Sequence, residues 1–349
     1  MSTVTKFTVE ESQAIVDKRV FWRLLFLPAM FAGFSALFFG WPSNHPAVVG
    51  TLWVITAYMM FCGTSCLHEA VHQTLWPNKQ ASIVMGRFIG TFVLVPYTVY
   101  RETHIYHHAY LNRPEDWELW PYSDPNCSLW FRRLFVWFDL LMGWLATPLI
   151  FSRIYFSKRS PLRKPSIRRV IRNEYLLIVL YWTSLIGIVV ALGYGRQFAW
   201  AVLPPWILAG AFQSVRKMTE HLGMSSYHPL LGTRTVLPKS WLLRLSSYLN
   251  FDIFVHGLHH RHPKMAHDQM RQKFIDYQQE NSQIDYPAYH SYWRASLAML
   301  PYLFRNPGSG INAGGAPPGR SLDDRDLNFY SDVVEEVLAK ETSDTAPSG

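Results

Sequence analysis

The chain has 349 residues, of which 49% are hydrophobic and 15% aromatic, while only 17% are charged. Ordinary soluble chains carry about 25% charged residues, so this composition, with its apolar residues in long blocks, argues against a soluble domain and for a multi-pass membrane protein. The net charge of +8 and the three cysteines argue for anionic lipid or an acidic partner rather than nucleic acid, and against a disulfide framework.

Four apolar segments predict membrane-spanning helices. They cover residues 24–41, 46–67, 175–195 and 198–215. The second is uncharged over 22 residues, which is about 33 Å as a helix and enough to cross a bilayer. The links within the first and the second pair are short, so the four helices are expected to form two hairpins.

Two further apolar stretches, residues 88–100 and 134–152, are weaker candidates, and the second contains Asp139. Charge inside a span is costly, so both are expected to be re-entrant or interfacial. Residues 153–172 hold eight Lys and Arg residues and no acid, which predicts a cytoplasmic location for this segment. The predicted fold is therefore an all-α integral membrane protein of about four transmembrane helices in two hairpins, with interfacial helices and a cytoplasmic cap.

Three histidine clusters lie at the ends of apolar stretches. They are His68-x-x-x-His72, His104-x-x-His107-His108 and His256-x-x-His259-His260. Residues three and four apart share one face of a helix, and neutral imidazole is the commonest protein ligand for transition metals. Adjacent histidines point about 100° apart on a helix, so each can serve a different ion. Eight such histidines predict a site for two metals.

A zinc protease is the main alternative, because His68-Glu69-x-x-His72 matches the pattern H-E-x-x-H. In a protease Glu69 would act as the general base beside a single zinc ion. Six histidines would then have no role, and no Asp-Gly pair is present to supply the distant ligand typical of membrane metalloproteases. The protease is therefore a remote alternative.

The three clusters resemble the histidine boxes of the membrane fatty acid desaturase–hydroxylase superfamily, and the resemblance covers roughly residues 22–263. It implies two non-haem irons, with a further histidine after the last span completing the ligand set. His221 occupies that place. The implied ligands are His68, His72, His104, His107, His108, His221, His256, His259 and His260. A metal-bound imidazole usually donates the N–H of its other ring nitrogen to a neighbouring group. The candidates for such neighbours are Glu69, Asp116, Glu220, Asp252 and His262.

The implied reaction is an O2-dependent oxidation of an unactivated aliphatic C–H bond in a long-chain fatty acid or acyl lipid, most simply a desaturation. The boxes leave open a fatty acid decarboxylase that forms a 1-alkene, a lipid hydroxylase and a carotenoid ketolase. A non-catalytic metal transporter is less consistent with the sequence, because transporters place their ligands near mid-span. A bacterial inner membrane is the expected location, and the Lys and Arg distribution predicts that the boxes lie on its cytoplasmic side.

Electrons are expected to come from a separate protein. The chain has no His-Pro-Gly-Gly motif of a fused cytochrome b5, and three scattered cysteines cannot supply the four thiolates of an iron–sulfur or rubredoxin centre. A small acidic ferredoxin- or rubredoxin-type donor is implied. Residues 153–172 are its candidate docking segment, and anchoring of the same segment to anionic membrane lipid is the alternative.

The sequence divides into four parts. Residues 1–19 are expected to be a cytoplasmic N-terminal segment, and residues 20–263 the membrane domain with the metal site. Residues 264–304 are a cytoplasmic extension of mixed charge. Residues 305–349 begin with a segment rich in Gly and Pro, a composition that favours disorder over a packed core.

Overall fold

The structure, a computed structural model, describes residues 20–40 and 45–318, and these are mostly helical. The helices up to the last long one are α1 (Val20–Arg23), α2 (Phe26–Phe39), α3 (Pro46–His72), α4 (Lys79–Phe92), α5 (Tyr97–Ala109), α6 (Leu129–Leu141), α7 (Gly143–Phe156), α8 (Pro165–Ala191) and α9 (Gly195–His221). They are followed by α10 (Pro229–Gly232), α11 (Trp241–Leu249), α12 (His256–Arg261), α13 (His267–Glu280), α14 (Tyr292–Arg305) and a 3-10 turn (Gly310–Ala313). Two short strands, β1 (Thr235–Val236) and β2 (Ala288–Tyr289), pair in parallel.

Within the described residues, three helices, α3, α8 and α9, are long and apolar enough to cross a membrane, and each has 27 residues. At 1.5 Å per residue each is about 40 Å long, which exceeds the roughly 30 Å of a bilayer's hydrocarbon core. Helices α4 and α5 pass the same test together, but they are bent by 105° at their junction, as in a broken span or a re-entrant loop. The prediction of a helical multi-pass membrane protein is confirmed.

The predicted segments match these helices with three differences. Predicted span 24–41 corresponds to α2, whose 14 residues reach only about 21 Å. Segment 88–100 contains the bend between α4 and α5. Segment 134–152 falls on two short helices, α6 and α7, which are separated at Met142.

Two buried carboxylates link helices of this bundle. Glu174 of α8 accepts hydrogen bonds from Nε of Arg87 at 2.8 Å and from the backbone N–H of Thr98, also at 2.8 Å, so it ties α8 to the α4–α5 junction. Asp139 of α6 is fully buried and forms an ion pair with Lys217 of α9 at 2.5 Å. Charge in an apolar bundle is retained only when it is paired in this way.

Helices α7 and α9 touch through their backbones at two glycines, Gly143 and Gly210. A Cβ atom on Gly210 would lie 2.3 Å from the backbone nitrogen of Trp144, a distance at which one helix would have to move. This close approach sets the width of the space between α3, α7 and α9.

Residues 306–316, here called the C-terminal strap, are packed onto the helices, and the prediction of disorder is wrong for this segment. Backbone N–H groups of Ser309 and Gly310 donate to carbonyl oxygens of Tyr122 (3.0 Å) and Met224 (2.8 Å). Arg132 donates to the carbonyl of Pro307 at 2.6 Å. This Gly-rich segment has no core of its own, but it is ordered because backbone groups that are distant in sequence form hydrogen bonds with its backbone. The predictions for residues 1–19 and 319–349 lie outside the described residues.

Candidate metal centre

The histidine clusters lie at the carboxyl ends of α3, α5 and α9 and in the short helix α12. His68 and His72 are one turn apart at the end of α3, and His221 is the last residue of α9. The other two clusters lie in the last two turns of α5 and throughout α12. All nine predicted ligand histidines are buried, so four helices bring them to one place.

One group contains five histidines whose candidate ligand atoms all lie within 4.8 Å of one another: His68, His72, His104, His108 and His259. The Nε2 atom of His104 lies 2.9 Å from Nε2 of His68 and 3.0 Å from Nε2 of His108. Three segments that are distant in sequence therefore aim their ring nitrogens at a common point.

A second group lies beside the first. It comprises His107, His221 and His260, and His221 also clusters with His256 and Glu220. The Nε2 atom of His256 lies 2.8 Å from Nε2 of His221 and 3.1 Å from Nε2 of His260. The rings of His108 and His260, one from each group, stack with centroids 4.2 Å apart, so the two groups are direct neighbours.

Adjacent histidines belong to different groups. His107 falls in the second group and His108 in the first, and His259 and His260 divide in the same way. This is the arrangement that a separation of about 100° on a helix predicts.

The spacing of the ring nitrogens fits bound metal. Two ligands at right angles around an ion, each with a metal–nitrogen bond of about 2.1 Å, lie about 3.0 Å apart. The four Nε2–Nε2 distances of 2.8–3.1 Å agree with this value. Moreover, Nε2 of His72 and Nε2 of His259 are buried without a hydrogen-bond partner, a costly state that a bound cation relieves.

Two carboxylates orient imidazoles from outside the cluster. Nδ1 of His107 lies 2.9 Å from Oδ2 of Asp116, and Nδ1 of His104 lies 2.9 Å from Oε2 of Glu118. Burial raises the pKa of Asp116, an effect that His107 opposes. Burial acts in the same direction on Glu118, but His104 and His107 outweigh it and hold its pKa below the usual value. Each carboxylate fixes the ring tautomer with Nε2 free for a metal.

The histidines of α12 are suited to this task electrostatically. Burial, reinforced by neighbouring histidines, lowers the pKa of His256, His259 and His260 well below the ordinary value. They are therefore neutral at physiological pH, and neutral imidazole is the form that binds metal.

The other carboxylates that were predicted to lie beside the ligand histidines differ in their contacts. Glu69 lies 3.6 Å from Nδ1 of His68, and Glu220 lies 3.6 Å from Nε2 of His256, so both flank the cluster. Asp252 instead pairs with Arg23 at 2.8 Å. These positions place two of the predicted carboxylates next to ligand candidates and the third on a different partner.

His262 is also directed away from the cluster. It stacks on Tyr277, and its Nε2 lies 3.1 Å from the Tyr277 hydroxyl. Burial lowers the pKa of His262 to about 4. Its role in the structure is therefore a contact between α12 and α13.

Sequence reasoning does not single out Glu118 or His267. Glu118 stands two residues beyond Asp116, in a loop without periodicity, and its proximity to the second box is the one signal that points to it. His267 begins α13, and its Nε2 lies 3.3 Å from Oε2 of Glu69. No sequence motif links His267 with Glu69, because the two residues are far apart along the chain.

A cavity of about 90 Å³ lies beside the first histidine group, between α3, α5, α7 and α9. Its wall is largely apolar and includes Met60, Phe151, Trp206 and Ala209. It also includes Glu118 and Tyr100, which both contact His104. A largely apolar space in the membrane bundle therefore extends to residues that contact the first histidine group.

The arrangement of the histidines argues against a single-zinc protease. Such a site keeps three protein ligands and one open position, whereas five histidines converge around His68 and His72. The carboxylate of Glu69 accepts a hydrogen bond from Thr74 at 2.9 Å and lies against His267.

Comparison with known proteins agrees with the histidine boxes. The family model described as "Fatty acid desaturase" matches residues 43–294, a range that includes all nine histidines. A curated relative, the chloroplastic omega-3 fatty acid desaturase of Glycine max, is 24% identical over an alignment of 260 residues that covers 67% of this chain and 54% of that protein. The chain thus spans about half the length of the curated relative it matches. The match over most of the chain shows that it belongs to the fatty acid desaturase family.

Proposed function

We propose that this chain desaturates a long fatty acyl chain, using O2 and two irons held by the nine histidines. The observation that carries the proposal is the pair of adjacent, buried histidine groups at the ends of the bundle helices in a member of this family. In this proposal His68, His72, His104, His108 and His259 hold one ion, and His107, His221, His256 and His260 hold the other. When bound, such a metal pair supplies the redox chemistry for attack on a C–H bond.

The protein's own groups have three tasks in this proposal. The histidines hold the two ions side by side, while Asp116 and Glu118 orient two of the rings. Burial of the cluster excludes bulk water, which strengthens electrostatic interactions within it. The apolar cavity beside His104 positions the acyl chain, because its wall offers hydrocarbon contacts up to the first histidine group.

The substrate is proposed as a fatty acyl chain from two sources. The family is that of fatty acid desaturases, and the matched plant relative is named for an omega-3 fatty acid. The two charged side chains of the cavity wall have partners just outside it: Lys217 pairs with Asp139, and Glu118 hydrogen-bonds to His104. The rest of the wall is largely apolar, which suits the hydrocarbon part of a lipid.

Electrons must be supplied from outside the chain, because forming one double bond while O2 is reduced to two waters consumes two electrons and two protons. We propose that a ferredoxin- or rubredoxin-type donor docks on residues 153–172, which run from the end of α7 into the start of α8. The exposed cations of this segment are Lys158, Arg159, Arg163, Lys164, Arg169 and Arg172. Arg153, at the start of this segment, stacks on the rings of Trp117 and Trp120, at 4.6 and 4.2 Å. These rings flank Glu118, so the basic segment is joined to the metal site.

Docking is tested by replacing Lys158, Arg159, Arg163 and Lys164 together with Gln. Reduction of the enzyme by an acidic donor should slow several-fold at low salt and converge with wild type at high salt. The matched control makes the same charge change at four exposed cations elsewhere: Lys239, Arg244, Arg294 and Arg305. Equal slowing in both variants, or in neither, would show that the segment serves only to anchor the protein to anionic lipid.

The orientation proposed from the sequence places this basic segment and the histidine groups on the cytoplasmic side of a bacterial inner membrane. The exposed cations next to the start of α8 support it through the positive-inside rule. We keep residues 20–263 as the metal-binding membrane domain and residues 264–304 as a cytoplasmic extension packed against it.

The function is tested on the purified, full-length protein. Iron and zinc per chain are measured first, and lipid products are then identified by mass spectrometry with fatty acids, a reductase and ferredoxin, with and without O2. Two irons and an O2-dependent unsaturated product are expected. One zinc per chain, or turnover that needs no O2, contradicts the proposal, and a saturated hydroxylated or a shortened 1-alkene product redirects it within the family.

A further inference from the structure

Glu220 approaches a different ring nitrogen from the other carboxylates beside the histidines. Three of those carboxylates lie next to an Nδ1 atom: Glu69, Asp116 and Glu118. Oε2 of Glu220 instead lies 3.6 Å from Nε2 of His256. The same Nε2 atom faces Nε2 of His221 at 2.8 Å and Nε2 of His260 at 3.1 Å. The carboxylate of Glu220 therefore lies next to the ring nitrogen that is proposed to bind metal.

The distance between Glu220 and His256 fits two ligands of one ion better than it fits a hydrogen bond. A hydrogen bond would bring the oxygen and the nitrogen to about 2.7–3.2 Å. Two ligand atoms that each lie about 2.1 Å from an ion, at an angle of about 120°, are about 3.6 Å apart. Within the part of the chain that the structure describes, the candidate ligand atoms of Glu220, His221 and His256 lie within 4.8 Å of one another, and all three residues are buried.

Two neighbours of Glu220 leave its Oε2 atom available. The hydroxyl of Tyr292, at the start of α14, donates to the other oxygen, Oε1, at 3.0 Å. Nε of Arg216, one turn earlier on α9, lies 4.0 Å from Oε2 and has no hydrogen-bond partner. This cation compensates part of the negative charge of a carboxylate that is only 3% exposed, but it does not occupy the oxygen.

The second histidine group offers its ion fewer imidazoles than the first. It comprises four histidines, whereas five converge in the first group. Carboxylate oxygen complements imidazole as a ligand of non-haem iron, and it brings a negative charge that neutral imidazoles lack.

We propose that Oε2 of Glu220 binds the ion of the second group, as the fifth protein ligand of that ion. Tyr292, which holds Oε1, is a positioning residue for this ligand. The helix α14 thus takes part in the metal site, although it contributes no histidine. The inference rests on the proposed function, in which the histidines of this group hold an iron ion.

Anaerobic titration of the metal-free protein with Fe²⁺ tests the assignment without any turnover. His256→Ala identifies the binding phase of the second ion, because it should weaken that phase. Glu220→Gln keeps the shape of the side chain and removes its charge. It should weaken the same phase by more than the roughly 10–100-fold that loss of an outer partner of a ligand typically costs, and it should leave the first phase unchanged.

Tyr292→Phe and Glu174→Gln complete the series. Tyr292→Phe removes the hydrogen bond to Oε1 alone and should weaken the second phase by about tenfold; an equal loss in both phases would show that Tyr292 acts only through the fold. Glu174→Gln is the matched control, because Glu174 is also a buried carboxylate paired with an arginine, Arg87. It should bind both ions as wild type does.

The outcomes separate this inference from the proposed function. If His256→Ala binds both ions as tightly as wild type, the assignment of the second histidine group fails. If His256→Ala weakens the second phase and Glu220→Gln does not, the carboxylate ligand is refuted while the histidine assignment stands.

A structure of the Fe²⁺-loaded wild-type protein gives a second test, which does not depend on the folding of any variant. Oε2 of Glu220 is expected about 2.0–2.2 Å from the ion of the second group. A distance above about 3 Å, or a water molecule between the oxygen and the ion, would make Glu220 an outer partner and overturn the proposal.

Discussion

Asp116 and Glu118, the two carboxylates within hydrogen-bond distance of His107 and His104, should control different metal ions. Asp116 contacts His107 of the second group, and Glu118 contacts His104 of the first. Replacing Asp116 with Asn or Glu118 with Gln removes the charge but keeps the shape of the side chain. We therefore expect Asp116→Asn to weaken the ion of the second group, and Glu118→Gln to weaken the ion of the first.

The structure gives these two changes different magnitudes. Asp116 is 1% exposed, and besides His107 it accepts from the backbone N–H groups of Asn112 and Leu119, each at 3.2 Å. An Asn there must turn an NH2 group toward one of these donors, so at least one charge-assisted bond of about 1.5–3 kcal/mol is lost, which is roughly 10- to 150-fold in affinity. The side chain of Glu118 is 17% exposed, and water can replace part of its bond, so about tenfold is expected.

Anaerobic Fe²⁺ titration of the metal-free protein measures both effects, because two unequal ions give two phases. A double-mutant cycle with His107→Ala shows whether Asp116 acts through that ring, since coupled residues lose less together than the sum of their separate losses. Asp124→Asn, whose carboxylate in the same loop accepts from Asn126, is the control. If the losses of Asp116→Asn and His107→Ala are additive, or if both carboxylate variants weaken the same phase, the pairing described here is wrong.

Three further predictions concern the bundle, the cavity and pH. Lys217→Gln leaves Asp139 charged in the bundle without its cation and should lower the free energy of unfolding by about 3–5 kcal/mol, measured as a lower melting temperature in detergent. Changing both residues to Leu should recover most of this stability. A melting temperature of Lys217→Gln equal to that of wild type would contradict the prediction. Ala209→Phe narrows the apolar cavity and should lower kcat/KM at least tenfold for the longest acyl chains and little for short ones, as measured by gas chromatography of the products. An equal loss for acyl chains of all lengths would show that the cavity does not hold the acyl chain. The pKa values of the α12 histidines are lower in the folded protein than the value of about 6.5 in the unfolded chain, so the unfolded state takes up protons first as the pH falls. The free energy of unfolding of the metal-free protein should therefore fall by about 1.4 kcal/mol per histidine per pH unit below about pH 6.5. A melting temperature that stays constant from pH 7.5 to 5.5 would refute this prediction.

The positions of the proposed ligand histidines were predictable because helical spacing is a local property. Three or four residues separate histidines that share a helix face, and the apolar runs before them predict where each helix ends. The structure places the boxes together as those spacings require, and His221 joins them although it is a single histidine. It was included because the family resemblance implies a further histidine after the last span, and His221 occupies that place.

The partners of these histidines were less predictable, because they are set by chain packing rather than by local pattern. Asp252 lies close to His256 in sequence but pairs with Arg23, more than two hundred residues away. Glu118 reaches His104 through a loop with no periodic signal. The strap was predicted to be disordered from its glycines, yet its order comes from the carbonyls of Tyr122 and Met224, which composition cannot reveal.

The distribution of the histidines along the chain has a consequence for biosynthesis. The first group draws four of its members from residues 68–108 but needs His259, and the second group needs His221 and His260. Neither group is complete until the ribosome has passed residue 260. Binding of the proposed metal ions is therefore expected to follow insertion of the last membrane helix, and a nascent chain arrested before α12 should remain without tightly bound metal even when its membrane segments are in place.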